Sequence, residues 1–199
     1  MSAAVMPLPD RSPLPFDPAM APAERHRLLI AAFPETLQQV MASGRLEQRP
    51  CFSDNGFERL QEIWSPPPTV SARQAGMAQR VLNDLEDSVL VPAEPDRLLG
   101  RVLALLSHFP AKGLTPDVEQ LVAIDWVEDL GEFPAWAIDA AARTWRRTRK
   151  WRPSIAEMRT LCEEACANER AMAQRLRQII RAFQGSTPKM GLAEGRRFP

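Results

Sequence analysis

A proline followed at once by a helix-capping box stands in the C-terminal part of this chain. Residues 154–157 read Ser-Ile-Ala-Glu, in which the serine and the glutamate can each satisfy a free amide of a helix's first turn. Pro153 disfavours helical geometry in the residue before it, so a new helix has to begin here. Apolar residues then recur at three- and four-residue intervals as far as Phe183, interrupted only by Glu169. The pattern predicts a helix over Ser154–Phe183, whose far half can project or pair with a partner.

Further segments show the same three-four spacing and carry start or stop signals at their ends. We predict helices over Ala23–Met41, Ser53–Trp64, Ser71–Asp87, Asp96–Phe109, Thr115–Leu130 and Pro134–Arg149. Pro34 either kinks the first of these helices or starts a second one. The apolar set of the Thr115 helix is predicted to be Val118, Leu121, Val122, Ile124 and Val127, with Trp126 alongside. Because neither strand periodicity nor a hairpin signal is recognised, the predicted fold class is all-α: a small helical bundle with a long C-terminal helix and a Pro-rich flexible N-terminal arm.

Prolines also suggest how the chain is divided. Six of them fall within residues 1–22, where they remove backbone donors and oppose helix formation. Three consecutive prolines, Pro66–Pro68, form the clearest boundary further along. The predicted division is a disordered Pro-rich arm (1–22), a helical accessory segment (23–68), a main helical domain (69–183) and a flexible tail (184–199).

Charge and hydropathy exclude several classes of protein. Lys plus Arg and Asp plus Glu each total 25, so no global charge directs the chain towards nucleic acid or anionic lipid. Most of the basic residues lie in the C-terminal half, and nearly all of them there are arginines. No stretch approaches the ~18 apolar residues of a membrane span, and the N-terminus lacks a secretory signal pattern. We therefore expect a cytoplasmic protein without a membrane partner.

Residues that could support catalysis or bind a metal are few. The chain lacks a phosphate-binding loop, a zinc-protease motif and a nucleophile elbow. Cys162 and Cys166 are four residues apart on a predicted helix, but neither histidine has a metal-ligand spacing to them, so buried thiols are the favoured interpretation. A carboxylate cluster near a helix end is better explained as solvated charge than as a metal site: Asp125, Glu128 and Asp129. We expect neither an enzyme nor a cofactor or metal.

The strongest chemical signal is a basic turn that contains tryptophan. Six of the ten residues from Arg143 to Arg152 are basic, with Trp145 and Trp151 between them. One hypothesis is a nucleic-acid-binding surface formed by Arg146, Arg147, Arg149, Lys150 and Arg152. The alternative is a solvated helix end in which Arg143, Arg147 and Lys150 share a face and Asp139 pairs with Arg143. In both cases Trp145 is predicted to belong to the core.

Motifs around this turn resemble those of a known family. They are Ala123-Ile124-Asp125-Trp126-x-x-x-Leu130, Phe133-Pro134-x-Trp136-Ala137-x-x-x-Ala141, Trp145, and Trp151-x-Pro153-Ser154-Ile155-Ala156-Glu157-Met158-Arg159. Together they resemble phage and prophage replication proteins of the helicase loader and inhibitor type. The resemblance covers about residues 98–166, a third of the chain, and its motifs are helix-packing and capping signals.

The resemblance implies a non-enzymatic DNA-replication accessory protein that acts by protein–protein contact with a replicative helicase or another replication protein. In that family the helicase-binding part is C-terminal, which here corresponds to the end of the long helix and Gly185–Pro199. On the helix the candidate partner-binding residues are Met172, Leu176, Ile179 and Phe183. Two alternatives stay open: a DNA-binding helical module that uses the basic turn, and an oligomeric structural protein whose long helix self-associates. Glu169 within the stripe argues against a tight homodimer.

Overall fold

The computed structural model describes residues 14–53, 56–109, 113 and 115–186 of the chain. Its elements are α1 (Pro22–Ala31), α2 (Glu35–Ala42), β1 (Arg45–Ser53), β2 (Gly56–Ser65), α3 (Ala72–Ser88), α4 (Pro95–Ser107), α5 (Pro116–Leu130), α6 (Ala135–Thr148) and α7 (Ile155–Ser186). The described part of the chain is mainly helical, and its last element is a long helix, as predicted. The all-α prediction is wrong in one respect, because two strands separate α2 from α3. Residues 1–13 of the predicted arm and 187–199 of the predicted tail lie outside the described residues.

Side-chain caps start α3, α5 and α7 where the sequence predicts them. Ser154 and Glu157 form the full capping box: the Ser154 amide donates to the Glu157 carboxylate at 2.9 Å, and the Glu157 amide donates to Ser154 Oγ at 3.3 Å. Ser71 and Gln74 form the same arrangement ahead of α3. Thr115 Oγ1 accepts the Val118 amide at the start of α5. These caps are local, and for that reason the sequence alone could place them.

The predicted helix over Ser53–Trp64 is wrong. Strands β1 and β2 form an antiparallel hairpin, with Arg45 opposite Ser65 at its open end and an irregularity in register beside Cys51. The hairpin signal is the dipeptide Asn55-Gly56, since Gly56 has a φ of +103°, which L-residues rarely adopt. The dipeptide favours a hairpin, whereas the three- and four-residue spacing of the apolar residues that follow it led to the prediction of a helix.

The fold divides into two compact units. The first comprises residues Met1–Ala32 and Asn83–Met172, and the second comprises Phe33–Leu82 and Ala173–Pro199. Helices α3 and α7 contribute residues to both units. The four-segment division suggested by the prolines stays a prediction.

The first unit is built on a core between α4, α5, α6 and the first part of α7. Its buried residues include Leu98, Val102, Leu105, Trp126, Leu130, Phe133, Ile138, Trp145, Met158, Cys162 and Cys166. The segment between α5 and α6 is held by an isolated antiparallel bridge between Pro92 and Pro134, and the Ala93 amide donates to the Phe133 carbonyl at 2.9 Å. Trp136 Nε1 donates to the Val89 carbonyl at 2.7 Å. These contacts fix the start of α6, and with it the turn that follows α6.

In the second unit the hairpin has a buried tryptophan at its base. Trp64 is buried at the end of β2, and the Arg175 guanidinium lies 5.8 Å from the centre of its ring. A Cβ atom at Gly44 would lie only 2.2 Å from Cε2 of that indole. Position 44 therefore requires glycine because the tryptophan ring occupies the space a side chain would need.

Candidate nucleic-acid interface

The basic turn predicted from the sequence is the connection between α6 and α7. Helix α6 ends at Thr148, and Arg149 is extended, with φ −126° and ψ 151°. Its amide still donates to the Trp145 carbonyl at 2.9 Å. Four residues later, the buried Pro153 and the Ser154 cap start α7. A short non-helical segment, residues 149–153, therefore stands between two firmly ended helices.

Two tryptophans and an arginine give this turn its shape. Trp145 is buried, as predicted, and its Nε1 donates to the Trp151 carbonyl at 2.9 Å. The Trp151 ring meets the Trp145 ring edge to face, with centroids 6.4 Å apart. The Arg149 guanidinium lies 5.7 Å from the centre of each ring. Trp151 nevertheless keeps 56% of its surface exposed. The buried Trp145 therefore holds Trp151 in place at the protein surface.

The five predicted nucleic-acid-binding residues do not occupy equivalent positions. Arg147, Arg149 and Lys150 are exposed, and Arg146 is half-buried. Arg152 is held in place, because Nη1 donates to the Phe109 carbonyl at 3.3 Å and lies 3.7 Å from a Glu119 carboxylate oxygen. Arg152 therefore braces the turn, and the other four form the available basic surface, which we call the α6–α7 basic surface.

The alternative interpretation of this turn was a solvated helix end with an ion pair between Asp139 and Arg143, and that ion pair does not form. Asp139, expected to pair with Arg143, is instead bound by Arg101 at 2.6 Å. Lys150 lies beyond the end of α6 and so does not share its helical face. Among the described residues, no carboxylate lies within ion-pair distance of Arg143 or of the α6–α7 basic surface. Arg143, Arg146, Arg147 and Lys150 therefore have no close ion pair in the described part of the chain, whereas Arg149 lies near enough to Glu157 to influence its charge.

An open groove of about 420 Å³ lies beside the turn, between α6 and α7. It is lined by Thr144, Trp145, Thr148, Arg149, Glu157, Thr160, Leu161 and Glu164. Hydrogen bonds from the Ser154 amide and hydroxyl, and then the charge of Arg149, lower the pKa of Glu157, so this carboxylate is ionised at neutral pH. The groove thus offers hydroxyls and carboxylates beside the basic side chain of Arg149.

The predicted partner-binding residues have a different environment from the one expected. Met172, Leu176 and Ile179 are buried, and Phe183 is half-buried. Their three-four spacing reflects burial within the protein, and they present no exposed stripe to a partner in this conformation. Partner binding by these four residues stays a prediction, and the burial of three of them does not favour it.

A buried ion pair in the first unit was missed from the sequence. Arg25 Nε donates to Glu169 Oε1 at 2.7 Å, and the Arg25 side chain also bonds the Ala165 carbonyl at 2.9 Å. The guanidinium lies over Trp136, 4.6 Å from its ring centre, and 5.5 Å from that of Phe16. One signal could have revealed the pair: Glu169 interrupts an apolar stripe, and a buried carboxylate needs a cation.

Neither a metal site nor a membrane span is found in the described part of the chain. Within those residues no three His, Cys, Asp or Glu side chains are grouped as a metal would require, and no helix is both long and apolar enough to cross a bilayer. Cys162 and Cys166 are buried thiols, as predicted. Burial raises the pKa of Cys162 to about 12 and also raises the pKa of Cys166, so both stay protonated at neutral pH.

No protein-family model, curated protein or solved structure significantly matches this chain.

Proposed function

We propose that this chain is a non-enzymatic accessory protein that binds single-stranded nucleic acid through the α6–α7 basic surface and Trp151. The observation that carries the proposal is the exposed tryptophan beside basic side chains that have no carboxylate partner among the described residues.

The attraction of this chain for a polyanion is expected to be local. The chain has a formal net charge of zero, so attraction for a polyanion must come from a patch. Arg147, Arg149 and Lys150 are exposed and lie within four consecutive positions at a helix end. Guanidinium groups bond phosphate oxygens in pairs, and each phosphate contact releases counterions. Binding through this surface is therefore expected to weaken steeply with salt.

The exposed ring of Trp151 favours binding of a single strand over a duplex. An unpaired base has an open face that can stack on an indole, whereas the bases of a duplex are already stacked on one another. Trp151 is anchored by its carbonyl to Trp145 and keeps its ring exposed. The adjoining groove adds hydroxyls and carboxylates that can accept hydrogen bonds from base amino groups. Stacking supplies affinity, and these groups supply any preference among bases.

DNA replication is the setting we propose for this binding. The resemblance to helicase loaders and inhibitors covers the helices on both sides of the turn, and single-stranded DNA is exposed wherever a helicase works. Contact with a helicase through the C-terminal helix is not part of the proposal, because three of its four candidate residues are buried.

Replacing both Arg147 and Lys150 by alanine is expected to weaken binding of a fluorescent single-stranded oligonucleotide. Loss of two phosphate contacts should flatten the slope of log affinity against log salt concentration by about 1.4. Trp151→Ala should weaken binding by about 5- to 150-fold, the equivalent of ~1–3 kcal/mol, and leave that slope unchanged. Fluorescence anisotropy titrations at several salt concentrations measure both effects.

The matched control removes two exposed arginines elsewhere, Arg73 and Arg80 on α3. This variant has the same net charge as the Arg147/Lys150 double variant and should retain the affinity and slope of the parent chain. Equal losses in the two variants would mean that the binding is a general charge effect, and the proposed site would be discarded. A lack of binding by the parent chain at low salt would have the same consequence.

A further inference from the structure

Helix α5 buries a different side from the one predicted. Its core-facing residues are Ala123, Trp126 and Leu130. Three of its larger aliphatic side chains, expected in the core, are instead exposed: Val118 at 40%, Leu121 at 63% and Ile124 at 43%. Helix α5 therefore carries apolar residues on its inner and outer sides alike.

The exposed aliphatic residues form one face with several acids. At 100° per residue, Leu121 points almost directly away from the buried side, and Val118 and Ile124 flank it one turn away on either side. Asp117 lies four residues before Leu121, and Glu128 lies seven residues after it. We call this set, together with Asp125, the outer face of α5.

This face has the composition of a binding surface. A surface helix ordinarily buries its apolar residues on one side and presents polar residues on the other. Here Val118, Leu121 and Ile124 recur at every third position on the exposed side, and an exposed group of apolar residues of this kind is typical of a binding surface. The helix also contains five acidic residues and no basic residue: Asp117, Glu119, Asp125, Glu128 and Asp129. Only Glu119 among these takes part in an ion pair with a described basic side chain, Arg152.

The charge of the outer face decides between possible occupants. Nucleic acid and anionic lipid would be repelled by its carboxylates. A second copy of this chain, docked by two-fold symmetry, would bring the same carboxylates against one another. A helix with an apolar stripe flanked by Lys and Arg would cover the aliphatic residues and neutralise the acids.

We propose that the outer face of α5 is a docking surface for a basic amphipathic helix of another protein. Leu121 is its central contact, Val118 and Ile124 extend it along the helix axis, and Asp117, Asp125 and Glu128 set the charge of the partner. The surface is separate in residues and opposite in charge from the α6–α7 basic surface, so one protein could hold a polyanion and a cationic partner at the same time.

The test uses the full-length chain and a designed probe. The probe is a helical peptide of about four turns, with leucine on one side and lysine along its flanks. In an NMR titration of the ¹⁵N-labelled chain, the peptide should shift the α5 amide resonances in a saturable, salt-dependent manner. Leu121→Ser should weaken binding by about tenfold or more, as expected for loss of a buried leucine contact. Asp125→Asn with Glu128→Gln should weaken binding at low salt and reduce its salt dependence.

Two controls define the outcome. Val91→Ser removes another exposed aliphatic residue, 50% exposed and outside α5, and should leave the affinity unchanged. A peptide with glutamate in place of lysine should not bind. The proposal is overturned if both peptides bind alike, if neither shifts α5, or if Leu121→Ser binds as the parent does. Sedimentation that shows a dimer of the free chain, converted to monomer by Leu121→Ser, would assign the face to a second copy instead and would also overturn it.

Discussion

Replacing Glu169 by leucine is expected to lower the free energy of unfolding by about 3–5 kcal/mol. The substitution keeps the side-chain volume but leaves the Arg25 guanidinium without its carboxylate. The two side chains are 5% and 0% exposed, so water cannot substitute for the missing partner. The remaining acceptor, the Ala165 carbonyl at 2.9 Å, offsets only part of the cost. Urea unfolding followed by circular dichroism measures the loss as a lower midpoint.

The matched double variant carries Arg25→Met as well as Glu169→Leu. Two apolar residues in place of a buried pair are often close to neutral, so most of the lost stability should return. With the Arg25→Met single variant measured as well, the double-mutant cycle gives the coupling energy between the two side chains. Glu132→Gln is the exposed control: the Glu132 carboxylate is half exposed and pairs with Arg159 and, at 3.3 Å, with Arg170, so its loss should cost about 1 kcal/mol or less. A Glu169→Leu cost as small as that of the control would show that the buried pair does not form.

Replacing Trp145 by alanine is the second large effect we expect, at about 3–5 kcal/mol. The indole is 2% exposed within the core of the first unit, and its removal leaves a cavity and an unsatisfied Trp151 carbonyl. The same change should abolish oligonucleotide binding, because Trp151 and Arg149 both rest on this ring. Urea unfolding and the anisotropy titration report the two effects separately.

Trp145→Phe separates stability from positioning. Phenylalanine retains most of the buried aromatic surface but cannot donate to the Trp151 carbonyl, so the stability loss should be smaller, about 1–2 kcal/mol. The folded variant should still bind the oligonucleotide more weakly than the parent, since the turn has lost its hydrogen bond to the core. Full affinity in this variant would show that the turn is positioned without Trp145.

The parts of the fold that the sequence predicted are those set by neighbouring residues. Ser154 with Glu157 and Ser71 with Gln74 cap their helices within one turn, so no distant contact can change the outcome. The hairpin was missed for the opposite reason. Apolar residues of β2 recur at three- and four-residue intervals, as in a helix, whereas the strand depends on pairing with β1. Asn55-Gly56 was the local sign that favoured the hairpin.

The candidate site was predicted in position but not in detail. Basic residues and tryptophans locate the turn, yet the availability of each arginine depends on contacts distant in the sequence. Arg152 is held by the Phe109 carbonyl, and Arg143 is left exposed because Arg101 binds Asp139. The same holds for the buried pair, whose members are 144 residues apart. Helix α5 could not be oriented from its sequence, because apolar residues lie on both of its sides.

The hairpin also bears on the tendency of the chain to pair with strands of another copy. In the described residues its sheet has two strands, so each strand has an open edge at which another chain could add. Exposed apolar side chains on those strands increase the risk: Leu46, Phe52, Phe57 and Leu60. Strand β1 counters it with Pro50, which has no amide to donate, and with Glu47 paired to Arg45 and Arg49 at 3.4 Å. The proline and the charges of β1 therefore oppose the addition of another strand at that edge of the two-stranded sheet.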